Sequence, residues 1–235
     1  MSSGPANTPR QLPLDLVHPV ARSRDDLVVA PANAEALALI ERWPDWPTPV
    51  MVLAGPAGSG KSHLAAIWCS ESSASRFSAG PLGSAAIEAA AHGPVLIDDI
   101  DARPVDEIGL FHLINAVRQA GTSLLLTSRR FPSAWSVRLP DLASRLKAAA
   151  IVEIQEPDDV LLAAVLTKLF ADRQVEVEPH VVHYLVRRME RSLSTAIDVV
   201  ARLDRAALEQ KTRITRALAA QVLTAMDAGQ QRLDF

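Results

Sequence analysis

The 235-residue chain has one cysteine, Cys69, one tyrosine and only 4% aromatic residues. A lone thiol excludes an intrachain disulfide and a cysteine-based zinc cluster, and Cys69 reads as a small core residue on a helix. Apolar runs are everywhere shorter than the roughly 18 residues needed to span a bilayer. The opening MSSGPANTPRQ holds no secretory apolar segment. These absences lead us to expect a soluble cytoplasmic protein with no membrane partner. An excess of positive charge is also missing: 24 Lys and Arg stand against 27 Asp and Glu, a net charge of -3. Sequence-specific DNA binding is therefore not expected, because it draws on a basic face. His63, His112, His180 and His183 show no pairing with cysteine or carboxylates, so no zinc site is expected.

What is present is a 49% apolar composition, enough for a substantial core. Residues 1–24 mix Ser, Pro, Asn and Arg around one apolar island, Leu12 to Val17, and read as a flexible tail. From Leu27 helical and strand patterns alternate: a helix at about 32–43, then the apolar run Val50 to Ala54, then a glycine-rich loop and a helix. Short apolar runs recur at Val95 to Ile97, Ser123 to Thr127 and Ile151 to Ile154, separated by helical segments. That alternation predicts an α/β domain over 25–155, a parallel sheet flanked by helices. Beyond Pro157 only helical periodicity remains, at about 158–172, 179–190, 193–210 and 215–227. A small all-helical domain over 156–228 and a tail at 229–235 complete the expected layout. Trp43 and Trp46 flank Pro44 and are expected to pack the first helix against the sheet.

Gly55-Pro56-Ala57-Gly58-Ser59-Gly60-Lys61-Ser62 fits GxxxxGK[ST] between a strand and a helix, the context that motif requires. Its glycines let backbone N–H groups curl round a phosphate, and the helix N-terminus adds a favourable dipole. Lys61 is expected on the β and γ oxygens of ATP or ADP, and Ser62 on Mg²⁺. The run Val95-Leu-Ile-Asp98-Asp99 ends a buried strand in two acids. Asp98 is expected to hold Mg²⁺ through water and Asp99 to polarise an attacking water. Ser128, ending Leu124-Leu-Leu-Thr-Ser, is a candidate for contacting the γ-phosphate or orienting water.

Together, the P-loop, Asp98-Asp99, Thr127-Ser128, Leu142-Ala-Ser-Arg145-Leu and the helical C-terminal part resemble AAA+ proteins of the DnaA initiator clade over about 25–228. Within the clade the chain resembles the regulatory homologues, which carry the AAA+ module and a short tail without a DNA-binding domain. The resemblance implies an AAA+ P-loop NTPase with a helical lid. It also implies that Gln11-Leu12-Pro13-Leu14-Asp15-Leu16 is a peptide that docks on the DNA polymerase sliding clamp. Leu14 and Leu16 suit an apolar pocket, Gln11 its polar edge, and Pro13 lowers the ordering cost of an extended segment. Gln230 to Phe235 fits the same pattern loosely. Val29 to Asn33 resembles the segment lining the family's adenine pocket, which makes Asn33 a candidate nucleotide contact.

By the same resemblance Arg145 is an arginine finger, acting on a neighbour's nucleotide, with Arg138 and Lys147 close by. Where the family's lid presents an arginine to its own nucleotide, this chain aligns Ser194, and Arg191 lies three residues earlier. That departure implies weak self-hydrolysis and a nucleotide held mainly as a structural switch. The resemblance thus points to negative regulation of replication initiation, with the clamp and DnaA as partners and pairing with a second copy left open. A helicase-loading ATPase and a non-hydrolysing clamp–DnaA adaptor are the alternatives.

Overall fold

The computed structural model describes residues 23–230. Its first compact unit comprises residues 23–162 with 191–194, and its second 163–190 with 195–230. The α/β unit therefore runs past the boundary read at 155 and takes in four residues from beyond it.

In chain order the α/β unit holds α1 (Pro31–Glu41), β1 (Val50–Ala54), α2 (Lys61–Ser72), β2 (Ser75–Ser78), α3 (Ser84–His92), β3 (Val95–Asp98), α4 (Glu107–Ala120), β4 (Leu124–Ser128), α5 (Pro140–Lys147) and β5 (Ala150–Glu153). The five strands form one sheet in the order β2-β3-β4-β1-β5, and every pairing is parallel. A parallel sheet is covered on both faces, so its strands are apolar on both sides. Alternation then deals their residues to two cores. Val50, Val52, Val95, Ile97, Leu124 and Leu126 pack with α3, α4 and α5. Met51, Leu53, Leu96 and Leu125 pack with α1 and α2.

Strand β2 carries no apolar run, being Ser75-Arg76-Phe77-Ser78, and sequence periodicity did not reveal it. It is an edge strand, mostly exposed, that exists through its pairing with β3. Trp46 stacks on Trp68 of α2 at 5.2 Å, and Trp43 meets the same ring edge-on at 6.4 Å. The two tryptophans do join the core beside α1 as expected, and the ring they pack on belongs to α2.

Two capping features fix the loops around the site. Asp106 accepts from Gly109 N at 3.0 Å, capping α4, and its other oxygen accepts from Leu82 N at 2.9 Å. Pro31 opens α1, where a missing N–H costs nothing.

The rest is helical: α6 (Asp159–Asp172), which the unit boundary divides, α7 (Pro179–Arg188), α8 (Leu193–Gln210) and α9 (Arg216–Gln230). Leu166, Phe170, Val181, Leu185, Val199, Val200 and Leu203 are buried in the helical unit. Arg188 and Arg216 lie over the Tyr184 ring at 5.7 and 4.8 Å. Among the described residues no helix is long and apolar enough to cross a membrane.

Candidate nucleotide-binding site

The loop Gly55 to Gly60 leaves the C-terminal end of β1, flanked in the sheet by β4 and β5, the place where open α/β sheets hold ligands. Gly55 N donates to Ser128 O at 3.1 Å, tying the start of the loop to the end of β4. A Cβ at Gly55 would lie 2.4 Å from Ile154 O, so no side chain fits there. Gly58 and Gly60 have φ of 70° and 106° and allow the curl of a phosphate-cradling loop. Helix α2 begins at Lys61, so its positive end faces that curl.

Two features inside the loop fit a phosphate chain. Ser59 Oγ is buried with no hydrogen-bond partner. Lys61 is 5% exposed, and its Nζ donates to Gly55 O and Pro56 O, both at 2.7 Å. Neutral carbonyls satisfy the ammonium without supplying a counter-charge. Burial pushes its pKa below the ordinary value of 10.5; Arg129 adds to that direction, while Asp99, Asp101 and Asp98 oppose it. A polyanion would offer this desolvated cation charge and this hydroxyl a partner.

The acids ending β3 are organised by Thr127. Its Oγ1 donates to Asp98 Oδ1 at 2.6 Å and accepts from Asp99 N at 2.8 Å. Asp98 Oδ2 accepts from Arg76 Nη2. Asp99 is held at φ 51°, an uncommon conformation for a residue with a side chain. Ser62, Asp98 and Asp99 supply oxygen donors of the hard type that Mg²⁺ takes. A cavity of about 260 Å³ lined by Ser78, Ala79, Asp98, Asp99, Ala102 and Arg103 opens beside them.

Ser128, the residue singled out in the sequence, turns its Oγ to Arg130 O at 2.7 Å and is fully buried. Arg129 is a neighbour that sequence reasoning passed over, and Thr127, quoted there with Ser128, was given no role of its own. Thr127 was hidden in an apolar run, where a polar residue inside a buried strand was the available signal. Arg129 N and Arg130 N donate to Asp101 at 2.9 and 3.1 Å, and the Asp101 side chain is only 2% exposed.

Residues 191–194 also reach the loop. Leu193 N donates to Gly58 O at 2.8 Å, and the Ser192 and Ser194 hydroxyls are 2.7 Å apart. A Cβ at Gly58 would lie 2.0 Å from Ser192 Oγ and 3.0 Å from Ser194 Oγ. Ser194 thus stands at the P-loop, whereas Arg191 pairs with Asp159 at 2.8 Å. Asn33 is buried, with Oδ1 accepting from Ala30 N and Nδ2 donating to Val28 O, each at 2.9 Å. Its amide shapes the 28–33 turn. Arg145 lays its guanidinium over the Phe111 ring at 4.9 Å, and its Nε is buried without a hydrogen-bond partner. Gln11, Leu12, Leu14, Leu16 and residues 231–235 lie outside the described residues.

A parallel sheet in this order, with a P-loop after β1 and acids at the end of β3, is the fold of AAA+ P-loop domains. Residues 159–223 match the model of the Hda lid domain. The fold is similar to domain III of the replication initiation protein DnaA from Thermotoga maritima, with a TM-score of 0.72 at 16% identity over 87% of this chain and 96% of that one. It is similar to AMPPCP-bound DnaA from Aquifex aeolicus, with a TM-score of 0.67 at 19% identity over 81% of this chain and 67% of that one. The RuvB branch migration motor of Thermotoga maritima matches with a TM-score of 0.69 at 19% identity, over 88% and 72%. An uncharacterised protein of Haemophilus influenzae is 28% identical over 188 residues, 73% of this chain and 80% of that one. The chain thus has an AAA+-type fold, and its residues 159–223 match a Hda-type lid.

Proposed function

We propose that the protein regulates replication initiation by accelerating hydrolysis of DnaA-bound ATP, with Arg145 supplied in trans and Gln11 to Leu16 tethering it to the sliding clamp. The observation that carries this reading is the Hda-type lid over residues 159–223, attached to a DnaA-like AAA+ module. Its own P-loop holds ADP or ATP on Lys61, with Ser62 and Asp98 as the donors for Mg²⁺ when the metal is present, and its nucleotide serves as a switch more than as a substrate. Ser194 in place of a lid arginine supports that division, because hydroxyls bring no charge to a phosphate.

Arg145 suits the role chemically. A guanidinium aimed at the equatorial oxygens of a transferring phosphoryl stabilises the charge spread over them. Stacking on Phe111 limits the rotation of a long side chain and leaves its terminal nitrogens as donors. In the same reading Asp99 belongs to this chain's own slow turnover.

The test is hydrolysis of DnaA-bound ATP in the presence of DNA-loaded clamp. Wild type is expected to accelerate it, Arg145→Ala to lose about 10³-fold of the acceleration, and Gln11→Ala/Leu14→Ala to lose the clamp-dependent part. Wild type without effect overturns the regulator reading. ATP turnover that needs Asp99 and no clamp would favour a helicase loader instead, and clamp–DnaA bridging unchanged in Arg145→Ala without any hydrolysis would favour an adaptor.

A further inference from the structure

Asp98 sits at the last position of β3 with a side chain only 13% exposed, so its charge needs partners within the protein. It has two. One oxygen takes the Thr127 hydroxyl, and the other takes the guanidinium of Arg76, whose side chain is 48% exposed. Arg76 reaches it by strand geometry. In the parallel register Arg76 lies opposite Leu96, and Asp98 is two residues further along the same face of β3. Edge strand β2 therefore delivers a permanent positive charge to a carboxylate at the nucleotide site. Burial pushes the Cys69 thiol on α2 above its ordinary pKa, with Arg76 lowering it and Asp98 raising it by smaller amounts.

A carboxylate beside a P-loop ordinarily owes its metal affinity to an uncompensated charge. Here a guanidinium in contact with Asp98 offsets that charge at the closest possible range, where the Coulomb interaction is least screened. The remaining acids near Lys61 are Asp99 and Asp101, and Asp101 already holds the backbone of Arg129 and Arg130. Phosphate charge is meanwhile met by Lys61 and the loop amides, which need no metal.

We propose that Arg76 is a resident counter-cation of Asp98 that lets the site hold a nucleoside di- or triphosphate almost independently of divalent metal. The proposal rests on the nucleotide-binding reading of the P-loop. Arg76 acts through Asp98 and is a positioning residue. A nucleotide held without strict need for Mg²⁺ would stay bound as a switch where a hydrolysing site would lose it.

The experiment is titration of a fluorescent ADP analogue into wild type, Arg76→Gln, Arg76→Lys and Arg76→Gln/Asp98→Asn, each in EDTA and in excess Mg²⁺. Wild-type affinity is expected to differ by less than about threefold between the two buffers, and that of Arg76→Gln to be about tenfold weaker in EDTA than in Mg²⁺. Arg76→Lys keeps the charge and should behave as wild type, and removing the carboxylate in the double variant should abolish the acquired metal dependence. Wild type losing tenfold or more in EDTA, or Arg76→Gln matching wild type in both buffers, overturns the proposal. Binding that is absent in every buffer overturns the nucleotide reading and this proposal with it. Should Arg76→Gln fail to fold by circular dichroism, Arg76→Met, which keeps the apolar stem without the charge, takes its place: ADP affinity about tenfold weaker in EDTA than in Mg²⁺ supports the proposal, and equal affinity in the two buffers overturns it.

Discussion

Lys61 and Arg145 are both cations set into the α/β unit, yet they are held by different means. Lys61 is buried at the start of α2, and its partners are the carbonyls of Gly55 and Pro56 in its own loop. Arg145 is half-buried on α5 and rests on one aromatic ring, with Nε left without a partner. The first charge is held by backbone, so its position follows from the path of the chain. The second is held by a side chain, so it can be removed without altering that path. A site that must grip a ligand is served by the first arrangement, and a group that acts on another molecule by the second.

The comparison can be broken most sharply at Lys61. Lys61→Ala is expected to weaken ADP binding by roughly 100-fold, the loss of charge-assisted bonds to phosphate; calorimetric titration showing an affinity close to wild type would remove Lys61 from the site. The same lysine gives a pH signature. Its pKa is lowered in the fold, so between that value and the ordinary 10.5 the unfolded chain binds more protons and the nucleotide-free protein gains stability as pH rises. Nucleotide needs the ammonium, so affinity should fall as pH rises through the lowered pKa. Lys61→Arg, which stays charged, should flatten that fall, and parallel curves for the two proteins would assign the dependence elsewhere.

Backbone control of the loop can be measured with a pair of glycines. Gly58 and Gly121 have nearly equal φ, 70° and 68°, but a Cβ meets Ser192 Oγ at 2.0 Å in the first and nothing within 4 Å in the second. Gly121→Ala should cost about 1 kcal/mol of stability from the left-handed backbone alone, and Gly58→Ala about 2–3 kcal/mol once steric overlap is added. Chemical denaturation giving equal costs would mean that residues 191–194 do not sit on the loop. The smallest effect is expected at Arg145. Arg145→Ala should change stability by about 0.5–1 kcal/mol, the scale of one cation–π contact, and this chain's own ADP affinity by less than about twofold. A larger loss of ADP affinity would bring Arg145 into the chain's own site.

Much of the fold could be read in advance where local pattern and tertiary role coincide. Buried strands β1, β3 and β4 are apolar runs because both sheet faces are covered, and the four C-terminal helices follow their hydrophobic periodicity. Strand β2 could not be read, since an edge strand owes its existence to its neighbour and Ser75-Arg76-Phe77-Ser78 has no pattern of its own. Site residues divide the same way. The P-loop is contiguous, and its glycines, lysine and serine announce their chemistry by spacing. Arg76 comes from β2, and Thr127 and Arg129 from β4 and its end, and nothing in the spacing between 76, 98 and 127 says that they meet.

Consecutive residues specify the glycine-rich P-loop, the acids at the end of β3, the alternation that builds a parallel sheet, and the helical character of the C-terminal part, since each is a local property of the chain. Which partners those groups have is set by the three-dimensional fold. It turned Ser128 to a backbone carbonyl, gave Asp98 to Thr127 and Arg76, placed Arg145 on Phe111 and brought Ser192 and Ser194 to Gly58. The physical reason is that side-chain hydrogen bonds and ion pairs act over a few ångströms in space, and distance in space between remote residues is set by sheet order and register.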